Sequence, residues 1–164
     1  ARAGKAVRIE PAQIDSTQCT RQDTIKLASL STAKLNEEET RCAIAARLFM
    51  WEHNVVQPAA RQHLGEPVAE ILHFGSYSCR TIRGSSAASE HATANAFDIS
   101  GFRLSSGKLV SLKQQWQGSQ PEAEFLKEVR DGACDYFNVV LSPDYNADHH
   151  DHLHVDMGWY RTCR

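Results

Sequence analysis

No two of the five cysteines stand in a Cys-x-x-Cys pair, which excludes a cysteine zinc ribbon. Cys19, Cys42, Cys79, Cys134 and Cys163 are spaced widely and irregularly. Two disulfides and one odd thiol in an exported protein fit them better than five reduced thiols, with the pairing left open. No apolar run approaches the ~20 residues of a membrane span. A formal net charge of −2 gives no bulk attraction to nucleic acid or to an anionic membrane. Internal repeats and low-complexity stretches are also missing. No apolar leader opens the chain, and Ala1-Arg2-Ala3 fits a mature terminus or an artificial boundary equally well. What remains is globular in kind. At 164 residues the chain can bury a core as one domain. With 41% hydrophobic and 23% charged residues, wholesale disorder is not expected.

Along the chain, residues 1–30 show weak periodicity broken by Pro11, Asp15, Ser16 and Thr17, and read as an extended arm tied down through Cys19. The domain proper then runs over 31–164. Asn36-Glu37-Glu38-Glu39 has the pattern of a helix start, with Asn36 as cap and Glu39 reaching back. Ile44, Leu48, Trp51 and Val55 follow on one helical face. Pro58 is expected to kink or end that helix near Gln57, and Gly65 to stop its continuation. Strands are expected over 68–74, 96–104, 109–112 and 139–142, with a hairpin turn at Ser105-Ser106-Gly107-Lys108. Pro121 opens a helix over 122–136, with Phe125, Leu126, Val129 and Ala133 facing inward. Helices and strands in this order predict an α+β domain with a small antiparallel sheet flanked by helices.

The sheet is expected to close on His149-His150-Asp151-His152-Leu153-His154-Val155-Asp156, which holds four of the eight histidines. On an extended strand His152, His154 and Asp156 share one face. Imidazoles and carboxylates gathered on one face must be wet, paired or bound to a metal. Upstream, Ser89-Glu90-His91-Ala92-Thr93-Ala94-Asn95-Ala96-Phe97-Asp98 supplies partners. A catalytic zinc takes three His, Asp or Glu ligands and keeps one position open. His91 at a loop exit, Asp98 on the following strand and His154 on a neighbouring strand make such a set, because adjacent strands lie about 4.8 Å apart.

Ser89-x-His91, Ala96-x-Asp98 and His152-x-His154 are similar to the zinc-peptidase group that joins lysostaphin-type enzymes, D-alanyl-D-alanine metallopeptidases and the hedgehog signalling domain. More closely, the chain resembles the bacterial extensin-like C-terminal domain family over roughly residues 42–164. The matching stretches are Asn54-Val55-Val56-Gln57-Pro58-Ala59-Ala60-Arg61, His73-Phe74-Gly75-Ser76-Tyr77-Ser78-Cys79-Arg80, Ser89-Glu90-His91-Ala92-Thr93, Asp131-Gly132-Ala133-Cys134, Pro143-Asp144-Tyr145-Asn146 and Asp151 through Met157. The resemblance implies a hedgehog- or D-alanyl-D-alanine-peptidase-like sheet carrying zinc on His91, Asp98 and His154. His152 would stand over the open position. Asp151 falls where the D-alanyl-D-alanine enzymes place a glutamate base, though its side chain is shorter, and His149 resembles an outer histidine of the lysostaphin branch. Where the metallopeptidase pattern usually has glycine, this chain has Ala94, which is strained if φ there is positive. An arginine comparable to Arg80 would hold a substrate carboxylate, for which a guanidinium is suited. Ser89 is placed to contact substrate or to hydrogen-bond beside a ligand.

The implied activity is a zinc-dependent peptidase, carboxypeptidase or cross-link endopeptidase, acting on peptidoglycan stem peptides in the periplasm or outside the cell. The alternative is a non-catalytic, zinc-stabilised module that binds cell wall or a protein partner. Other residues have simpler readings. His53 and His63 are expected on helix surfaces, His150 in solvent, His73 as structural and Asp156 as an orienting partner of an imidazole. Trp116, Tyr145 and Trp159 are read as core or rim before groove wall, and Cys79 as disulfide-bonded before reactive thiol.

Overall fold

The computed structural model describes residues 8–164. Two short strands, β1 (Gln13–Ile14) and β2 (Thr20–Arg21), pair with each other. Next come β3 (Thr24–Ser29), β4 (Lys34–Arg41), helices α1 (Cys42–Trp51) and α2 (Gln57–Leu64), and β5 (Val68–Gly75). The second half holds β6 (Ala96–Leu104), β7 (Leu109–Ser111), α3 (Leu112–Gln115), α4 (Pro121–Ala133), β8 (Val139–Leu141), β9 (Leu153–Asp156) and β10 (Thr162–Cys163).

Among the described residues eight strands form the main sheet in the order β10-β8-β9-β6-β5-β4-β3, with β7 also paired to β6. Strand β6 is its spine. Its first half pairs with β9, its second half with β7, and β5 runs along its other edge. The sheet is mixed rather than antiparallel, because β4–β5 and β8–β10 are parallel pairs. On β6, Phe97 and Ile99 turn into the core; on β9, Leu153 and Val155 do the same. Side chains alternate across a strand, so Asp98, His154 and Asp156 are turned to the opposite face. The core centres on Trp51, whose Nε1–H donates to Val129 O at 3.0 Å. Phe137 packs edge-on against Trp51, and Phe102 edge-on against Phe125. The four inward residues expected on α4 are all buried.

Besides the mixed sheet, three expectations are corrected. The arm ends before Thr24, because Thr24, Ile25 and Leu27 are buried in an edge strand of the main sheet. Asn36-Glu37-Glu38-Glu39 lies within β4, and the helix starts only at Cys42. The acidic run has a local helix-start pattern, but its carboxylates serve neighbouring segments. Glu39 accepts from Thr24 Oγ1 at 2.7 Å and Glu38 from Ser76 N at 2.8 Å.

The third correction concerns the long helix. Residues Glu52–Val56 form a π-helical turn between α1 and α2. The extra residue in that turn moves the buried stripe from Val55 to Val56, while Ile44, Leu48 and Trp51 stay buried as expected. Pro58 does not end the helix; it stands in the first turn of α2, where its missing N–H costs little. The fully buried Glu52 in the π turn accepts from Ser31 N at 3.0 Å, Thr32 N at 3.2 Å, Ala33 N at 3.0 Å and Gln57 Nε2 at 2.7 Å. Gly65 closes α2 in the left-handed region at φ 75°, as expected.

Candidate metal centre

Asp98 and His154 are directly paired residues of β6 and β9. Their pairing brings His154 Nδ1 within 3.0 Å of Asp98 Oδ1. His91 reaches the same point from a 3-10 turn, Glu90–Thr93. Ser89 caps that turn, its hydroxyl accepting from His91 N at 3.2 Å. The turn ends at Ala94 with φ 54°, so the position does require a left-handed backbone. Two donors hold the Ala94 carbonyl there, Arg41 N at 3.1 Å and Thr40 Oγ1 at 3.3 Å, and Ser76 Oγ stands 3.3 Å from the same oxygen. A strained residue persists where its surroundings determine it from several sides.

His91 Nε2 lies 3.1 Å from Asp98 Oδ2 and 3.3 Å from His154 Nδ1. Ligand atoms of His91, Asp98 and His154 all lie within 4.8 Å of one another. A tetrahedral ion with bonds of ~2.0–2.2 Å spaces its ligands about 3.3–3.6 Å apart, and these atoms lie slightly closer than that. The remaining ring nitrogens already have partners. His91 Nδ1 donates to Ser76 O at 2.6 Å, and His154 Nε2 to Asp156 Oδ2 at 2.7 Å. Asp156 is fixed in turn by Gly158 N at 2.8 Å. Carbonyl and carboxylate partners of this kind orient ligating imidazoles. The three residues therefore fit a zinc ion by donor type, spacing and support.

A fourth imidazole stands beside them. His152 Nε2 is 3.8 Å from Asp98 Oδ1, and its Nδ1 donates to Asp151 Oδ1 at 2.9 Å. Asp151 therefore contacts His152 and not the ligand cluster. His149 packs its ring 4.9 Å from that of His152, and Phe74 and Tyr145 stand at the edge beside these two histidines.

The electrostatics follow from this crowding. Burial raises the pKa of Asp98, but hydrogen bonds from His154 and His91 outweigh it and hold the carboxyl far below the usual range. Burial opposes charge on His154, yet Asp156 and Asp98 raise its pKa to about 9. Burial, with the neighbouring His152 and His154, lowers His149 to about 4. Burial also works to raise Asp151, and the His152 hydrogen bond brings it below its ordinary value. His154 thus stands between two carboxylates, Asp98 on Nδ1 and Asp156 on Nε2.

The other expected residues fall as follows. Arg80 is exposed and outside the cluster; its carbonyl accepts from Ser89 N at 3.1 Å. Ser89 is 7% exposed and supports the His91 turn. His73 meets Asn36 O at 2.8 Å and packs on Phe97. His63 pairs with Glu128, His53 stacks on Phe49, and His150 is exposed. Trp116 is core, whereas Trp159 is almost fully exposed. The bridges are Cys19–Cys79 and Cys134–Cys163, with Cys42 the odd thiol. Sequence reasoning missed Ser76, because its contribution is a backbone carbonyl that no side-chain pattern announces.

The fold and centre together define a mixed-sheet domain of helices and strands with a buried His–Asp–His group. The chain belongs to the family described as extensin-like protein C-terminus, whose model matches residues 1–164. No curated protein and no solved structure matches it. Its two disulfides suit an extracellular or periplasmic setting. Among the described residues no helix is long and apolar enough to cross a membrane.

Proposed function

We propose that this domain is a zinc-dependent peptidase of the bacterial periplasm or cell exterior that hydrolyses an amide bond in peptidoglycan stem peptides. The observation that carries this is the convergence of His91, Asp98 and His154 beside a fourth imidazole that none of them needs as a ligand. His91 Nε2, an Asp98 oxygen and His154 Nδ1 would hold the ion. When bound, zinc lowers the pKa of a coordinated water to ~7 and polarises a carbonyl.

The chain's own groups supply the rest. Asp151 holds the proton on His152 Nδ1, which leaves Nε2 as the basic nitrogen, turned toward the cluster. His152 takes a proton from the attacking water and returns it to the leaving amine. Asp151 acts as the orienting carboxylate of that base. Phe74 and Tyr145 would flank the bound peptide, and Arg80, exposed and joined through its carbonyl to Ser89 N, would attract its terminal carboxylate. The motif likeness to lysostaphin-type and D-alanyl-D-alanine metallopeptidases supports the same reading.

A second reading has its own observation. His91, Asp98, His154 and Asp156 satisfy one another without any ligand, as a structural polar network would. In that case the domain binds cell wall or a protein and cuts nothing. Digestion of purified muropeptides by the zinc-loaded protein separates the two. Released fragments that disappear in His152→Ala support the peptidase. Binding to cell wall without any bond cleavage across D,D- and L,D-linked substrates would leave the binding module.

A further inference from the structure

The Ser76–Tyr77 peptide group is hydrogen-bonded at both ends. Its carbonyl accepts from His91 Nδ1–H at 2.6 Å. Its N–H donates to Glu38 Oε1 at 3.3 Å, and the same oxygen accepts from Ser76 N at 2.8 Å. A carboxylate at the N–H end of an amide drives electron density toward the carbonyl oxygen, and hydrogen bonds in series strengthen one another. The surroundings hold this peptide in place. Ser76 Oγ donates to Thr40 Oγ1 at 2.8 Å. Gly75 has φ +106°, and a Cβ there would stand 3.3 Å from Glu38 Oε1. Only a glycine both adopts that backbone and leaves the carboxylate its room.

We propose that Glu38 is a positioning residue of the metal centre. It acts through a carboxylate–peptide–imidazole relay that keeps the proton on His91 Nδ1 and makes Nε2 the stronger donor. The relay reaches His91 from β4, three strands from β9 in the sheet, and touches neither ion nor substrate. Its effect on affinity rests on the zinc reading above; its effect on His91 does not.

The test uses Glu38→Gln, which keeps an acceptor oxygen but removes the charge, and Glu38→Ala, which removes both. The first readout is the His91 Nδ1–H proton resonance in the metal-free protein, which burial of the ring protects from exchange. It should lie far downfield in the parent and move upfield in E38Q and further in E38A. The second readout is zinc affinity by competition with a chromophoric chelator. It should weaken about tenfold in E38Q and up to about a hundredfold in E38A, the range for partners that orient a ligand. If E38Q matches the parent in both readouts, the charge does nothing and the relay is overturned, whether or not E38A folds. If the resonance moves but the parent binds no zinc, the relay stands and the zinc reading fails.

Discussion

Asp98 and His154 face each other across the β6–β9 pair, 56 residues apart in sequence, with Oδ1 and Nδ1 separated by 3.0 Å. A strand register, not a loop, sets the spacing of two of the three candidate ligands. Sites held on strands are more rigid than sites held on loops. The centre is therefore expected to change little when it is loaded.

Removal of one ligand should abolish tight metal binding. The parent, purified without chelator, is expected to carry about one zinc per chain by elemental analysis, and His154→Ala close to none. Equal zinc in both would dismiss the ligand assignment.

A metal held by His154 would have to displace a proton from it. With its folded pKa near 9, zinc affinity should rise about tenfold per pH unit from neutrality and level off above pH 9. Calorimetry in two buffers of different ionisation enthalpy should report between about one and two protons released per zinc at pH 7, one from His154 and a fraction from the coordinated water. The metal-free protein follows the opposite slope. A histidine whose pKa is raised on folding stabilises fully below its unfolded value of ~6.5, and that stabilisation is lost as pH climbs through about 9. Urea midpoints of the apoprotein should therefore fall between pH 6.5 and 9.5.

His152 and Asp151 should separate from the ligands in their effects. His152→Ala is expected to retain zinc but lose about 10²–10⁴-fold in turnover, the range for a general base. Asp151→Asn should lose less, because the imidazole remains. A His152→Ala variant as active as the parent would remove the proposed proton carrier.

Glu52→Ala tests the buried turn far from the centre. The substitution strands the N–H groups of Ser31, Thr32 and Ala33 and the amide of Gln57. At ~1–3 kcal/mol per buried unsatisfied group, a loss of about 3 kcal/mol or more is expected in denaturant unfolding. A change under about 1 kcal/mol would mean that water replaces the carboxylate.

Ala94→Val is the sharper test of the His91 turn. Alanine tolerates φ 54° at a modest cost, whereas a β-branched side chain is a strong outlier there. Val should destabilise by about 2 kcal/mol or more, and Gly should stay within about 1 kcal/mol of the parent in a thermal melt.

Much of this was legible from residue order, for identifiable reasons. Strand β6 reads directly, because Phe97, Ile99, Phe102 and Leu104 are strand formers interleaved with polar residues and followed by the turn Ser105-Ser106-Gly107. Helix α4 reads from Pro121 and a regular inward stripe. His91, Asp98 and His154 stand out because such residues rarely gather without a purpose. The failures have a common cause. The Asn36–Glu39 run has a locally sound helix-start pattern, and only partners 15 to 38 residues away make it a strand. The π turn at Glu52 depends on the remote Ser31–Ala33 backbone, which no local window contains. The parallel pairings of β4 and β10 are also tertiary choices. Glu38 reads from sequence only as part of that helix start, because its partners are the main-chain amides of Ser76 and Tyr77, which no side-chain pattern announces.

Strand β9 is inserted between β8 and β6, although only β10 among the sheet strands follows it in the chain. His91 and Asp98 precede His154 in the chain by 63 and 56 residues. Until β9 pairs with it, the first half of β6 has an open edge and the candidate centre lacks its third residue. One late strand thus completes both the sheet and the candidate centre, so a chain cut short before β9 would have neither.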